Sequence, residues 1–209
     1  MMAEERRTAQ PDETEAALAL IRAVRRRVRA ISDGESCDFC GETLGPEHGH
    51  VLGLLDRRLR CACRACYLLF LPRGAGRGRF CAVPQRYRAV RDSTLVQEWT
   101  GVICGPVQLA FAFLHSGTGR ITVCYPSPQG LAESFLPDGV PIVSALRSLL
   151  QPDVEALLCW RRAVGAVTFL VPIDVCYELV ARLRLPSNRT DLDALLEEFF
   201  DRLHSRCEE

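Results

Sequence analysis

Between residues 13 and 31 the apolar positions Leu18, Ile21, Val24, Val28 and Ile31 recur at intervals of three and four. That spacing predicts a helix with one apolar face. Asp12, Glu13 and Glu15 stand at its start and Arg25, Arg26, Arg27 and Arg29 toward its end, in the sense that the helix dipole favours. Asp33-Gly34 stops it. Further on, the pattern shortens into strand-sized runs. Gly49 to Arg60 predicts a hairpin that turns at Asp56-Arg57-Arg58. Val107–Phe113 and Arg120–Tyr125 predict two strands joined by Ser116-Gly117-Thr118-Gly119, and a turn at Pro126–Gly130 leads to a third strand at Ala132–Leu136. Residues 141–150 read as a helix. Val154–Trp160 and Val167–Val171 read as a strand pair across Arg161–Gly165. Pro172 opens a helix over Ile173–Arg184, with Asp174 in its first turn. Thr190-Asp191 caps a last helix that runs to about Ser205 and carries the stripe Leu192, Leu195, Leu196, Phe199, Phe200 and Leu203. The expected class is α+β, with antiparallel hairpins and C-terminal helices, and the chain has no internal repeat.

The cysteines add chemistry to this outline. Cys37-x-x-Cys40-Gly41 and Cys63-x-x-Cys66 are separated by 22 residues. Each such turn aims two sulfurs at one point, and two turns complete a tetrahedral site, as in a zinc ribbon. Gly41 falls where the turn needs positive φ. The second pair is crowded by a fifth thiol, Cys61, and Glu47-His48-Gly49-His50 lies between the pairs. The expected ligands are Cys37, Cys40, Cys63 and Cys66, with Cys61, His48 and His50 as alternates. Zn²⁺ is the expected ion; iron in a rubredoxin-like site fits the same spacing. A third use of these thiols, redox chemistry at Cys61 or Cys63, requires a depressed pKa. The other cysteines (81, 104, 124, 159, 176 and 207) are scattered through apolar segments and read as core positions.

Domain boundaries follow: a tail and amphipathic helix at 1–34, a zinc-ribbon-like module at 35–71, an Arg/Gly-rich linker at 72–92 and an α+β domain at 93–209. The apolar run Tyr67–Leu71 is expected to pack the module onto the domain that follows. No apolar run approaches the length of a membrane span, and the polar N-terminus predicts a cytoplasmic protein with reduced thiols. The formal net charge is zero, yet residues 57–91 hold ten Arg and no acid, while 190–209 hold seven acids. The basic stretch suits nucleic-acid phosphates, an acidic partner protein or the chain's own acidic tail. Arg57, Arg58, Arg60, Arg64, Arg73, Arg77 and Arg79 are the expected partner-binding residues.

No catalytic set is legible. There is no nucleophile elbow, no His-Glu-x-x-His, no dinucleotide fingerprint and no phosphate loop in the Gly/Arg segment 72–79. His115, at a strand end, and His204, on the acidic last helix, read as surface residues.

Several motifs together carry a resemblance. Cys37-Asp38-Phe39-Cys40-Gly41, Glu47-His48-Gly49-His50, the run Cys61–Phe70, Tyr125-Pro126-Ser127-Pro128, Pro152–Leu158 and Val171–Tyr177 resemble an uncharacterised actinobacterial family encoded beside nickel–iron hydrogenase genes. The resemblance spans about residues 35–185. The chain departs from it in the short segment Arg184–Arg189, where the family carries a longer Trp- and Gly-containing stretch. The resemblance implies a hydrogenase context; with no catalytic set in the chain, the expectation is a non-enzymatic accessory protein of hydrogenase assembly or function, whose arginine-rich flank at 57–91 grips an acidic surface of hydrogenase subunits or maturation proteins. The competing expectation is a zinc ribbon that binds nucleic acid, with Tyr67, Phe70, Phe80 and Tyr87 available for stacking.

Overall fold

A computed structural model describes residues 35–102, 108–127, 130–162, 165–186 and 188–208. The helix expected over residues 13–31 lies outside them. Two antiparallel sheets organise the chain. The smaller has the order β2-β1-β3, from β1 (Gly49–Gly53), β2 (Leu59–Ala62) and β3 (Phe80–Ala82). The larger has the order β4-β9-β8-β5-β6-β7, from β4 (Arg88–Ala89), β5 (Leu109–His115), β6 (Arg120–Ser127), β7 (Gly130–Phe135), β8 (Glu155–Arg162) and β9 (Gly165–Pro172). The helices are α1 (Arg64–Leu69), α2 (Ser93–Val102), α3 (Pro141–Leu149), α4 (Ile173–Arg182) and α5 (Arg189–Glu208). The class is α+β, as the hydrophobic pattern predicts.

The large sheet is covered on both faces, and its central strands show why they read as continuous apolar runs. Along β5, Leu109, Phe111 and Phe113 enter one core while Ala110 and Ala112 enter the other. The first core is closed by α4 and α5 through Ile173, Cys176, Leu179, Leu196, Phe199 and Phe200. Trp160 of β8 stacks on Phe200 with ring centroids 5.0 Å apart. The second core is closed by α2 and α3 through Trp99, Ile142, Val143 and Leu146. The expected strand pair closes further than the apolar run suggests, because Arg162 pairs directly with Gly165.

The small sheet is not free-standing. Leu52 of β1 and Val83, just after β3, lie in the first core with Phe111 and Val171. Residues 72–92, expected as a linker, hold β3 against β1 and β4 against β9. Composition hides this, because two strands of three and two residues leave almost no periodic trace among the Gly and Arg around them. The run after Cys66 also behaves differently from expectation. Tyr67 is buried and donates from its hydroxyl to the Val83 carbonyl at 2.8 Å, but Leu68, Leu69 and Leu71 face solvent. The run is the helix α1, so only one of its faces can meet protein.

The basic stretch is partly neutralised within the fold. Asp153 and Glu155 are buried at the start of β8. Arg57 donates to Asp153 at 2.7 Å and lies over the Phe113 ring. Arg86 grips both oxygens of Glu155, from Nε at 2.8 Å and from Nη2 at 2.6 Å. These pairs carry charge from the small sheet and the following segment onto the large sheet. The acids concerned are not those of the C-terminal helix; that helix meets the basic stretch through Arg206, whose guanidinium donates to the Tyr87 hydroxyl.

Candidate metal centre

The first cysteine pair sits on a turn built by local hydrogen bonding. Gly41 N–H donates to the Cys37 carbonyl and Cys37 N–H to the Glu42 carbonyl, each at 2.8 Å. Gly41 has φ +80°, the value expected for it from the motif alone. The second pair is presented by a helix start. Cys63 is the residue before α1, Cys66 lies in its first turn, and Tyr67 N–H donates back to the Cys63 carbonyl at 2.8 Å. A residue and its neighbour three positions on share one side of a helix turn, so both sulfurs face the same way.

The two turns converge. One sulfur from each of Cys37, Cys40, Cys63 and Cys66 lies within 4.8 Å of the others. Cys40 Sγ and Cys63 Sγ are 3.7 Å apart. Cys37 and Cys63 are buried, Cys66 is half-buried and Cys40 is exposed. Burial works against ionising Cys37, but hydrogen bonds from the backbone at Cys63, Phe39 and Cys40 outweigh it and lower the thiol to about 6. Burial and the neighbouring sulfurs push Cys66 up to about 12. A set with one ready thiolate and crowded partners is what a cation would resolve, since it stabilises every sulfur as thiolate at once. The arrangement is that of a zinc-ribbon-like module with a four-cysteine metal site.

The support beneath the site is aromatic. Val51, Ala62, Tyr67 and Ala82 form a small core with Phe39, Phe70 and Phe80 around it. Phe39 lies 4.6 Å from Phe70 and 5.8 Å from Phe80, centroid to centroid. Gly49 is required here: a Cβ at this position would meet Tyr67 Cδ2 at 2.5 Å. The rings expected to stack on bases are therefore occupied. Tyr67 is buried, Phe70 and Phe80 pack on each other, and Tyr87 meets Arg206.

The alternates fall elsewhere. His48, His50 and Cys61 lie together as a second group, each offering a ligand atom within 4.8 Å of the others. Burial and the carboxylates of Glu35 and Asp38 raise the Cys61 thiol, and Cys63 is raised as well. That is the opposite of what redox chemistry at either thiol needs. The expected partner-binding arginines divide into two sets. Arg57 pairs with Asp153, and Arg60 pairs with Asp56 at 2.5 Å while lying over Phe80. Arg58, Arg64, Arg73, Arg77 and Arg79 are exposed. Sequence reasoning missed the exposure of several leucines in the same stretch of chain. Leu55 is 85% exposed and Leu69 69%, with Leu68 and Leu71 also open to solvent. Only burial distinguishes such leucines from core residues.

Among the described residues no helix is long and apolar enough to cross a membrane. The sequence pattern of the "Family of unknown function (DUF5947)" matches residues 36–207, and the chain belongs to that family. Neither the curated proteins nor the solved structures provide a match.

Proposed function

We propose that this protein is a zinc-stapled docking protein without catalytic activity, whose cysteine module presents a mixed arginine and leucine face to an acidic partner. The carrying observation is the joint exposure of Leu55, Leu68, Leu69 and Leu71 with Arg58, Arg64, Arg73, Arg77 and Arg79 on one small module. Apolar side chains concentrated on an otherwise compact module supply contact area, and exposed guanidinium groups supply recognition of carboxylates. Zinc suits the four-thiolate set as a structural ion, because it closes a tetrahedral site without redox chemistry. The partner we propose is a subunit or maturation protein of a nickel–iron hydrogenase, which rests on the motif resemblance alone.

Two measurements test the reading. Elemental analysis and an absorption spectrum of protein purified without chelator should give zinc and no visible colour; iron with visible bands would turn the assignment to electron transfer. Capture of hydrogenase subunits and maturation proteins by the tagged chain should be lost on combining Leu69→Asp with Arg77→Ala. Salt-dependent binding of DNA or RNA instead, lost in Arg77→Ala with Arg79→Ala, would favour the nucleic-acid reading.

A further inference from the structure

His48, His50 and Cys61 are brought together by strand register. His50 and Cys61 are directly opposite one another across β1 and β2. His48 lies two residues before His50, so its side chain leaves the same side of the extended chain. The intervening Gly49 and its partner Ala62 face the opposite way, toward Tyr67. The His48 and His50 rings are 5.0 Å apart.

Both imidazoles are set for coordination by their second nitrogen. His48 Nδ1 lies 3.0 Å from the Gly45 carbonyl oxygen. A carbonyl only accepts, so Nδ1 carries a hydrogen and Nε2 is the nitrogen left to face a metal. That Nε2 is buried and has no hydrogen-bond partner, on a side chain only 8% exposed. His50 Nδ1 lies 2.6 Å from Asp174 Oδ2, while the other Asp174 oxygen accepts from Val175 N–H. A carboxylate behind one imidazole nitrogen orients the ring and raises the donor strength of the other nitrogen, which is the usual support of a metal-bound histidine. Glu35 Oε2 is 3.4 Å from His48 Nε2, on a largely exposed side chain. A cleft of about 360 Å³, lined by Glu42, Gly45, Cys63 and Gln85, lies against His48.

We propose that His48, His50 and Cys61 form a second metal site, separate from the four-cysteine cluster, that holds one divalent first-row transition ion and leaves a coordination position open beside Glu35. Two imidazoles and one thiolate suit ions of the zinc, nickel and cobalt type. Three protein ligands with an open position mark sites where a metal is exchanged or acts, whereas four thiolates mark structural ones. Asp174 belongs to α4, so an ion here would also tie the small sheet to the large one.

Cobalt loading of the full, reduced chain tests this. After removal of resident metal, equilibrium dialysis with Co²⁺ should end at two ions per chain, one of them with imidazole ligands. Long-range ¹H–¹⁵N spectra should show two histidine Nε2 signals moving as the second ion binds. His50→Ala with Cys61→Ser should bind one ion and keep the charge-transfer bands of the four-thiolate site. Asp174→Asn, a change at a positioning residue, should weaken the second ion about 10- to 100-fold and leave the first unchanged. One ion per chain in the wild type with no histidine signal moving, or two ions in the double variant, would overturn the proposal. The wild-type titration decides the matter even if the variants fold poorly. Failure of the four-cysteine assignment reads differently, as loss of the thiolate bands with the histidine signals still moving.

Discussion

At the scale of single residues, the two buried acids set the strongest constraints. Glu155 has no exposed side-chain surface and depends on Arg86 and on Gln151 N–H for its oxygens. Removing one partner of such a pair leaves an uncompensated charge. Arg86→Ala should therefore cost about 3 kcal/mol in urea unfolding, and adding Glu155→Gln should recover part of that loss. Gly49 is a constraint of a different kind. Gly49→Ala places a methyl group 2.5 Å from Tyr67 Cδ2. It should destabilise the protein by about 1–3 kcal/mol, with the near-ultraviolet tyrosine signal changing, since an overpacked ring must leave its rotamer. Gly41 was legible from its motif, but Gly49 was not, because nothing in Glu47-His48-Gly49-His50 announces a ring above the strand.

Elements divide into those held by packing and those held by the cysteine cluster. The last helix is of the first kind. Phe199 is 1% exposed against the large sheet, and Phe199→Ala should lower stability by about 3–5 kcal/mol in the same assay. The turn at Cys37–Gly41 is of the second kind, and the short helix α1 draws on both, through Tyr67 in the small core and Cys66 at the cluster. A six-residue helix is too short to persist without tertiary support. Chelation of the metal should speed amide exchange from Cys37 to Thr43 and across α1, while β5 and β8 stay protected. Metal affinity should also fall as pH is lowered, because protons compete for the sulfurs. The long elements could be read from periodicity: the last helix, α3, α4 and the β5–β6 hairpin all stand where the apolar pattern puts them, within a few residues. The short ones could not, since β3 and β4 together span five residues and carry no period of their own.

For the whole molecule, the controlling fact is that one core serves both sheets. Leu52 and Val83 share it with Phe111, Phe169 and Val171, and Arg57 and Arg86 reach across to Asp153 and Glu155. A fragment of residues 93–209 would expose that apolar face and strand two buried carboxylates. It should fail to give the cooperative thermal transition of the full chain, which circular dichroism would show directly. The basic stretch has its meaning at this scale too. The ten arginines of residues 57–91 look uniform in composition, yet the fold commits Arg57 and Arg86 to buried acids and leaves Arg73, Arg77 and Arg79 in solvent.

The amino-acid sequence by itself determined the long elements and the grouping of Cys37, Cys40, Cys63 and Cys66, because both depend on short-range regularities: apolar periods of 2 and 3.6, and pairs of thiols spaced by one turn. Tertiary structure alone decided which arginines remain available, which leucines stay exposed, and that His48, His50 and Cys61 form a group of their own. Those outcomes depend on strand register and on Asp174, 124 residues from His50 along the chain. Contacts over that separation are set by the packing of sheet on helix, and no local pattern encodes them.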